Sequence, residues 1–172
     1  LSPAPYTLIQ AGHPAPVSET GDEAQIFVRA NIAHLGIGAD RVDVGQKLLA
    51  QFPIDVVLLD DGFQHRRLHR DFDLLLLDAQ DPLSGGSVFP LGRLREPAPG
   101  LARANAVILT RVQRGRQYRR LLAYIERNAP GMPVFRSRVV PGEWMPEALP
   151  DGKAAAFCGL GNPASFWATL RQ

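Results

Sequence analysis

The sequence predicts an α/β fold built around a mainly parallel sheet. Two runs of four apolar residues, Val56–Leu59 and Leu74–Leu77, each end in aspartate. Short apolar runs bounded by polar residues are typical of strands buried on both faces. Helical patterns at Val42–Phe52 and 113–128 stand between the strand patterns, as α/β proteins require. Ligands bind beyond the carboxyl ends of parallel strands, so both runs should place a carboxylate where a ligand would lie.

The composition is that of a soluble globular domain. Apolar residues make up 45% and charged residues 21% of the 172 residues, and no run approaches the roughly 18 apolar residues of a spanning helix. The single cysteine, Cys158, excludes an internal disulfide and fits a reducing compartment. The basic residues are 17 arginines and 2 lysines, which reflects either planar-anion binding or genomic bias.

Before the first apolar run, the patterns predict loops, two short strands and two helices. Residues 1–20 hold four prolines and read mostly as loop. Asp22 and Glu23 follow a glycine and suit either a first helical turn, where carboxylates complement the dipole, or a functional site. The expected elements, in order, are a strand at Tyr6–Gln10, a helix at Gln25–Ala30, a strand near Ile32–Gly36 and a helix at Val42–Phe52 opened by Asp40-Arg41.

After the first apolar run, the connection Asp61–Asp71 is too short for a crossover helix. The second run is therefore antiparallel, or a neighbour reached through a loop. Residues 78–100 form a long Gly/Pro-rich loop of the kind that is functional or disordered. The further elements expected are strands at Asn105–Thr110, Met132–Val140 and Lys153–Cys158, a helix at 113–128, and a helix from about Ala164.

A change in composition at residues 141–152 divides the chain. This stretch holds three prolines and two glycines and predicts a linker. We expect residues 1–140 to form one domain and residues 153–172 to begin a second α/β unit. The chain starts without methionine, and we expect it to be part of a longer protein.

The residues after Leu59 form the most informative cluster. Asp60 and Asp61 follow an apolar strand pattern, as in a Walker-B site whose carboxylate holds Mg²⁺ bound to phosphate oxygens. Many strands end in aspartate as a turn cap, but two adjacent carboxylates repel each other unless a cation or arginine compensates. The cluster continues with Gly62, Gln64, His65, Arg66, Arg67, His69 and Arg70. His65 suits a base, a phosphate donor or a structural histidine.

Several alternative chemistries are disfavoured. His65 and His69 have helical spacing, but no second cysteine accompanies them and their flanks are arginines, which argues against zinc. Gly62 stands where a dehalogenase-type phosphatase needs a second aspartate, and no Gly-x-Ser-x-Gly occurs. Gly85-Gly86 lacks the following Lys-Ser or Lys-Thr of a P-loop. Arg93 and Arg95 suit either anion clamps or solvated loop charges.

The pattern at 113–128 predicts a basic amphipathic helix. Its expected inward residues are Tyr118, Leu121, Leu122 and Ile125, and its outward residues are Arg114, Arg116, Arg119, Arg120 and Arg127. Such a face can contact nucleic acid or a membrane surface. A solvated exterior is the commoner explanation.

Taken together, these motifs make the sequence resemble the tetraacyldisaccharide 4′-kinase family, the lipid A 4′-kinases of Gram-negative bacteria. The matching pieces occur in the family's order and cover nearly the whole chain. They are Gly21-Asp22-Glu23, Ala39-Asp40-Arg41, Asp60-Asp61-Gly62-Phe63-Gln64-His65-Arg66-Arg67-Leu68, Leu94-Arg95-Glu96-Pro97 and Gly159-Leu160-Gly161-Asn162-Pro163.

The resemblance implies a three-layer α/β/α, P-loop-kinase-like fold with the start of a second α/β unit. It implies transfer of the γ-phosphate of ATP, with Mg²⁺, to the 4′-hydroxyl of a lipid A disaccharide precursor at the cytoplasmic face of the inner membrane, with no nucleic-acid partner. Asp60 and Asp61 would hold the metal, and Asp22 would activate the hydroxyl. Glu23, Gln64, His65, Arg95 and Glu96 match motif positions that line the cleft.

The family's P-loop, its amphipathic N-terminal segment and its histidine-rich motif have no counterpart in residues 1–172. We therefore expect this chain alone to be an inactive portion of the enzyme. The alternative is a non-catalytic anion- or lipid-binding module derived from such a kinase. A Gly-x-x-x-x-Gly-Lys-Ser/Thr pattern upstream in the reading frame would favour the enzyme.

Overall fold

Two separate sheets organise the chain in a computed structural model that describes residues 6–83, 86–92, 94–140, 142, 155–159 and 163–171. One sheet lies in the compact unit Leu1–Asp71 and the other in the unit Phe72–Gln172. The elements in chain order are β1 (Tyr6–Ile9), α1 (Val17–Thr20), α2 (Gln25–Ala30), β2 (Leu35–Gly38), α3 (Arg41–Gln51), β3 (Leu74–Asp78), a 3-10 helix (Ala98–Arg103), β4 (Ala106–Thr110), α4 (Arg119–Asn128), β5 (Val134–Arg136) and α5 (Pro163–Leu170).

In the first unit, helix α3 packs on an antiparallel pair of strands. β1 and β2 pair from Tyr6 opposite Gly38 to Ile9 opposite Leu35. Val44 and Leu48 of α3 are buried. A Cβ added at Gly36 would lie 2.7 Å from Cγ1 of Val44, so the helix approaches β2 this closely only because residue 36 has no side chain.

Asp40 caps the start of helix α3, as expected from the sequence, in which Asp40-Arg41 opens this helix. One oxygen of the Asp40 carboxylate accepts hydrogen bonds from the backbone N–H groups of Val42 (3.0 Å) and Asp43 (3.2 Å), which is N-capping. The bond from the Asp43 N–H, helped by that from Val42 and by the charges of Arg67 and Lys47, lowers the pKa of Asp40 below its ordinary value.

We expect Asp40→Ala to lower the melting temperature by a few degrees, because the substitution removes the cap. Since the folded-state pKa of Asp40 is lowered, its contribution is fully present above the ordinary aspartate pKa and is lost as pH falls through the folded value. Asp40→Asn keeps a capping oxygen and should remove only this acid dependence. Thermal melts at neutral and acidic pH test this, and equal melting temperatures for Asp40→Ala and the wild type would refute the capping role.

The second unit contains a parallel sheet in the order β3–β4–β5. Leu75 and Leu77 of β3 pair with Val107 and Leu109 of β4, and Val107 also pairs with Val134 of β5. Helix α4 covers this face: Val107, Leu109 and Ile125 are the largest fully buried side chains of the described residues. The mixed α/β class with a parallel sheet is thus confirmed, whereas the three-layer arrangement stays a prediction.

Several boundaries differ from those that the patterns predict. Helix α4 begins at Arg119 rather than at residue 113, because Gly115 has a φ of 76° and the N–H of Gln113 donates to the hydroxyl oxygen of Tyr118 (2.8 Å). The buried positions Tyr118, Leu121 and Ile125 agree with the predicted inward face. β5 is shorter than the predicted strand Met132–Val140, β2 starts three residues after Ile32, and α1 falls in a stretch predicted to be loop.

The prediction of a buried strand at Val56–Leu59 is wrong. These residues form no regular element, and Val56, Val57 and Leu58 are exposed by 73, 49 and 90%. Within the described residues no neighbouring strand pairs with this segment. An apolar run without a pairing partner cannot satisfy its backbone groups in a sheet, so it lies at the surface without regular structure.

The second apolar run is a strand, but it is not buried on both faces. Leu74 and Leu76 of β3 remain 47 and 60% exposed on the face opposite α4. β3 pairs in parallel with β4. It does not pair with the first apolar run, which forms no strand, so neither of the two expected relations between the runs is seen.

The region around the predicted linker is described only in part. Of residues 141–152 only Gly142 is described, and the predicted division into 1–140, 141–152 and 153–172 stays a prediction. The described portion of the strand expected at Lys153–Cys158, residues 155–158, is not a strand. Helix α5 begins one residue before the predicted start at Ala164. No helix among the described residues is long and apolar enough to cross a bilayer.

Candidate active site

The two neighbouring acids lie on an exposed turn that directly follows the run Val56–Leu59. Asp60 and Asp61 both face solvent, and Asp61 has a φ of 51°. Aspartate and asparagine are enriched among the non-glycine residues that adopt this left-handed conformation. Gly62 is buried against Leu59, whose side chain would overlap a Cβ added at residue 62. The turn therefore presents two adjacent carboxylates to solvent and needs glycine immediately after them.

The basic stretch after the turn is folded by its own backbone. The N–H of His65 donates to the carbonyl oxygen of Gly62 (2.9 Å), and the N–H of Leu68 donates to that of His65 (3.2 Å). The guanidinium of Arg70 donates to the carbonyl oxygens of His65 and Leu68. Arg70 thus holds the loop that carries Gln64 and His65, both of which are exposed.

His65 lines a cavity of about 320 Å³ together with the start of helix α3. Two motifs that are distant in sequence meet here, Ala39-Asp40-Arg41 and the basic stretch that follows Gly62. The cavity is lined by Ala39, Asp40, Arg41, Val42, His65, Arg67 and Leu68. Its cations, Arg41 and Arg67, outnumber its one carboxylate, and His65 adds a third nitrogen donor. This arrangement suits an anionic oxygen ligand.

Asp22 lies at a separate cavity of the same unit. This cavity, of about 210 Å³, is also lined by Val17, Gln25, Ile26 and Arg29. The N–H of Gln25 donates to the carbonyl oxygen of Asp22 (3.3 Å), so the backbone of Asp22 leads into helix α2 while its exposed side chain stays available. Glu23 is exposed beside it. Asp60 and Asp61 line neither of the two cavities.

Glu96, in the second unit, is held by an arginine that the sequence patterns did not single out. Both carboxylate oxygens of Glu96 accept from Nη2 of Arg103, at 2.6 and 2.5 Å. A Cβ added at Gly100 would lie 3.0 Å from Cδ of Glu96. The 3-10 helix therefore folds back on the Leu94-Arg95-Glu96-Pro97 motif and fixes its acid, while Arg95 is exposed.

We expect Arg103→Gln to lower the free energy of unfolding by about 1–3 kcal/mol, because Glu96 loses charge-assisted bonds at a mostly buried position. Arg127→Gln is the matched control. Arg127 is exposed, and its loss should change the free energy by less than about 0.5 kcal/mol. Urea unfolding of the complete protein measures both. Equal stability of the two variants would contradict the anchoring role of Arg103.

Asp78, the carboxylate at the end of β3, was expected at a ligand edge, and it is instead engaged within the protein. It forms an ion pair with Arg111, and its Oδ1 accepts from Nε of Arg111 and from the N–H of Gln80, both at 3.0 Å. Arg111 lies 33 residues away in sequence. No local pattern could have identified this pairing.

The acidic turn, which carries Asp60 and Asp61, could hold a metal ion only together with ligands from outside the described residues. Among the described residues, no group of three or more His, Cys, Asp or Glu side chains is placed to hold a metal ion. Magnesium is commonly bound by one or two carboxylates, with substrate phosphates and water completing the shell. Asp60 and Asp61 are two exposed carboxylates that could serve such an ion.

Within the first unit, the structure thus places His65 and Arg41 at one cavity and Asp22 at another, and Asp60 and Asp61 line neither. Asp60, Asp61, Gln64 and His65 share one stretch of the first unit, and Asp22 and Glu23 share another. The anion clamp predicted at Arg93, residue 85 of the Gly85-Gly86 pair and residues 160–162 of the last motif lie outside the described residues.

Comparisons with known proteins agree on one family. The family model described as "Tetraacyldisaccharide-1-P 4'-kinase" matches residues 3–172. Proteins named tetraacyldisaccharide 4′-kinase are similar to this chain, at 36% identity in Syntrophobacter fumaroxidans and 40% in Geobacter metallireducens. A third, from Pseudomonas putida, is 39% identical.

These matches cover most of this chain but less than half of each relative. The alignments include 88, 90 and 94% of this chain and 42, 46 and 46% of the relatives from Syntrophobacter, Geobacter and Pseudomonas, respectively. No solved structure matches the chain.

Proposed function

Because this chain belongs to the tetraacyldisaccharide-1-P 4′-kinase family, we propose that the complete protein phosphorylates the 4′-hydroxyl of a tetraacyl glucosamine disaccharide in lipid A biosynthesis, with ATP as phosphate donor. The family match over residues 3–172 is the observation that carries this proposal. We assign roles to the motif residues because each of them falls within the range that the family model matches.

The metal site of the proposal is the acidic turn. Asp60 and Asp61 would hold Mg²⁺ through their carboxylates, and the ion when bound neutralises charge on the phosphate oxygens. Two observations support this assignment. Both side chains face solvent, and the buried Gly62 fixes the turn beneath them.

Asp22 is the proposed general base. Its carboxylate accepts the proton of the 4′-hydroxyl as that oxygen forms a bond to the γ-phosphorus of ATP. The bond from the γ-phosphorus to the oxygen that bridges to the β-phosphorus breaks, and ADP leaves with that oxygen. The exposure of Asp22 at the mouth of a cavity supports this role, since a base must reach the proton that it removes.

The remaining candidates bind and orient the reactants. Glu23, Gln64, His65, Arg95 and Glu96 would line the cleft. The cavity shared by His65 and Arg41 suits the phosphate or sugar oxygens of the acceptor. Glu96, fixed by Arg103, would accept a hydrogen bond from a sugar hydroxyl.

The remaining assignments extend this proposal. Residues 1–140 would form part of the kinase domain, 141–152 a linker and 153–172 the start of a second α/β domain. The complete protein would act as a peripheral enzyme at the cytoplasmic face of the bacterial inner membrane, and this chain alone would be inactive.

A transfer assay tests the proposal. The complete protein, supplied with ATP labelled on the γ-phosphate, should label a tetraacyldisaccharide acceptor whose 4′-hydroxyl is free. It should leave unlabelled an otherwise identical acceptor in which that hydroxyl is blocked. Equal labelling of both acceptors would overturn the proposed position of transfer. Labelling of neither acceptor would overturn the proposal that the complete protein is a kinase.

A further inference from the structure

Helix α4 and the turn before it carry an exposed cluster of arginines with almost no acidic residue. We call this cluster the basic face; it consists of Arg114, Arg116, Arg119, Arg120 and Arg127. Glu126 is the single acidic residue of the stretch 113–128, every residue of which is described. Within the described part of the chain, none of these arginines forms an ion pair. The face therefore keeps its positive charge.

Packing of the helix does not need these charges. The opposite side of α4 supplies Leu121 and Ile125 to the core, at 8 and 1% exposure, and Tyr118 precedes them at 7%. At 100° per residue, Arg119, Arg120 and Arg127 fall in one arc of about 100° on the solvent side. One side of the helix thus packs on the core of the second unit, and the opposite side, which carries the arginines, is exposed.

The placement of the charges is unfavourable for the helix itself. Arg119 and Arg120 occupy the first turn, which contains no acidic residue and has no side-chain cap. Cations are disfavoured at this end, because the helix dipole is positive there. An external anion at the basic face would offset this repulsion.

We propose that the basic face binds the phosphate headgroups of an anionic lipid bilayer. This inference rests on the proposed function, in which the acceptor is a lipid held in a membrane. Positive side chains near such a surface strengthen binding by about fivefold each. The exposed residues of 113–128 include no large apolar side chain, so the contact is electrostatic and does not insert into the hydrocarbon.

The same stretch is poorly suited to single-stranded nucleic acid. Single-stranded nucleic acid is bound by exposed aromatic side chains on which bases stack. Tyr118 is buried, Tyr124 is half-buried, and no other aromatic residue occurs between 113 and 128. A lipid surface needs only exposed positive charge, which Arg119, Arg120 and Arg127 offer on the solvent side of α4.

The test compares two charge variants of the complete protein. One is Arg119→Gln/Arg120→Gln/Arg127→Gln. The other, Arg119→Lys/Arg120→Lys/Arg127→Lys, is the matched control, because it keeps the charge. Vesicles of phosphatidylcholine with about one third phosphatidylglycerol, and of phosphatidylcholine alone, are sedimented with each protein at low and high salt.

We expect the Gln variant to bind the anionic vesicles at least roughly tenfold more weakly than the wild type at low salt. The Lys variant should bind within about twofold of the wild type. The difference between wild type and Gln variant should disappear when salt shortens the screening length, and binding to phosphatidylcholine vesicles should not distinguish the proteins.

Two outcomes overturn the inference. One is equal binding of the Gln variant and the wild type to anionic vesicles. The other is a Gln variant that loses affinity for an RNA duplex while its vesicle binding is unchanged. Phosphorylation of an acceptor dispersed in neutral detergent separates this inference from the proposed function. If the wild type transfers no phosphate to this acceptor but still binds anionic vesicles more tightly than the Gln variant, the kinase proposal fails and the proposal for the basic face is retained.

Discussion

Asp60→Ala and Asp61→Ala are each expected to lower kcat of the complete protein by roughly a hundredfold or more. Both carboxylates sit on one exposed turn and are proposed to hold the ion that neutralises the transferring phosphate. Loss of either removes one carboxylate ligand from the ion, so the magnesium concentration needed for half-maximal rate should also rise. Steady-state rates measured across a magnesium titration test both effects.

Asp55→Ala is the control for these variants. Asp55 is an exposed carboxylate just before the run Val56–Leu59, and its loss changes the local charge equally without touching the turn. It should retain nearly the wild-type rate. Near-normal rates in both Asp60→Ala and Asp61→Ala would refute the metal assignment.

Asp22→Asn is expected to lower kcat by about 10²–10⁴-fold and to leave KM for ATP nearly unchanged. The amide keeps the size of the side chain but cannot accept the proton of the acceptor hydroxyl. The fold should be unaffected, because the backbone carbonyl of Asp22, not its carboxylate, accepts the bond from Gln25 that leads into α2. Rates at saturating acceptor with varied ATP separate kcat from KM.

Glu19→Gln is the matched control for Asp22→Asn. Glu19 is an exposed acid in α1, three residues before Asp22. The variant makes the same exchange of carboxylate for amide and should leave kcat unchanged. If Asp22→Asn kept the wild-type kcat, Asp22 would be only a residue at the start of a helix.

Elements whose partners lie nearby in sequence were predictable. Helix α3 has its own cap, Asp40, and its own apolar side in Val44 and Leu48, so its bounds differ by only one residue from those predicted. The inward side of α4 was equally visible from the spacing of Leu121 and Ile125. Local patterns determine such features, because both the cap and the periodicity are contained in the segment itself.

Features that depend on distant residues were not predictable in the same way. The apolar run Val56–Leu59 predicts a buried strand. Whether a strand forms, however, depends on a neighbouring strand with which the run can pair. The position of Asp78 after an apolar run predicts a ligand carboxylate, but the structure shows that it is bonded to Arg111. The cavity lined by Arg41 and His65 could be identified only from the structure, because its two motifs are separated by more than twenty residues in sequence.

The site residues themselves were identified as candidates by their motifs rather than by periodicity. Adjacent acids before a glycine can be seen in the sequence, but the positive φ of Asp61 and the contact between Gly62 and Leu59 explain why this order of residues forms the turn. Arg70 and Arg103 act through carbonyl and carboxylate oxygens of other motif residues. In an arginine-rich chain, the sequence does not show which arginines hold other motif residues in place.

The most direct measurement is the magnetic resonance of Mn²⁺, a substitute for Mg²⁺, bound with ATP to the complete protein. The wild type should bind the ion with phosphorus couplings from the nucleotide, and Asp60→Ala/Asp61→Ala should bind it far more weakly. Ion binding and phosphorus couplings that are the same in both proteins would contradict the account, because the ion and its phosphates would then be held elsewhere.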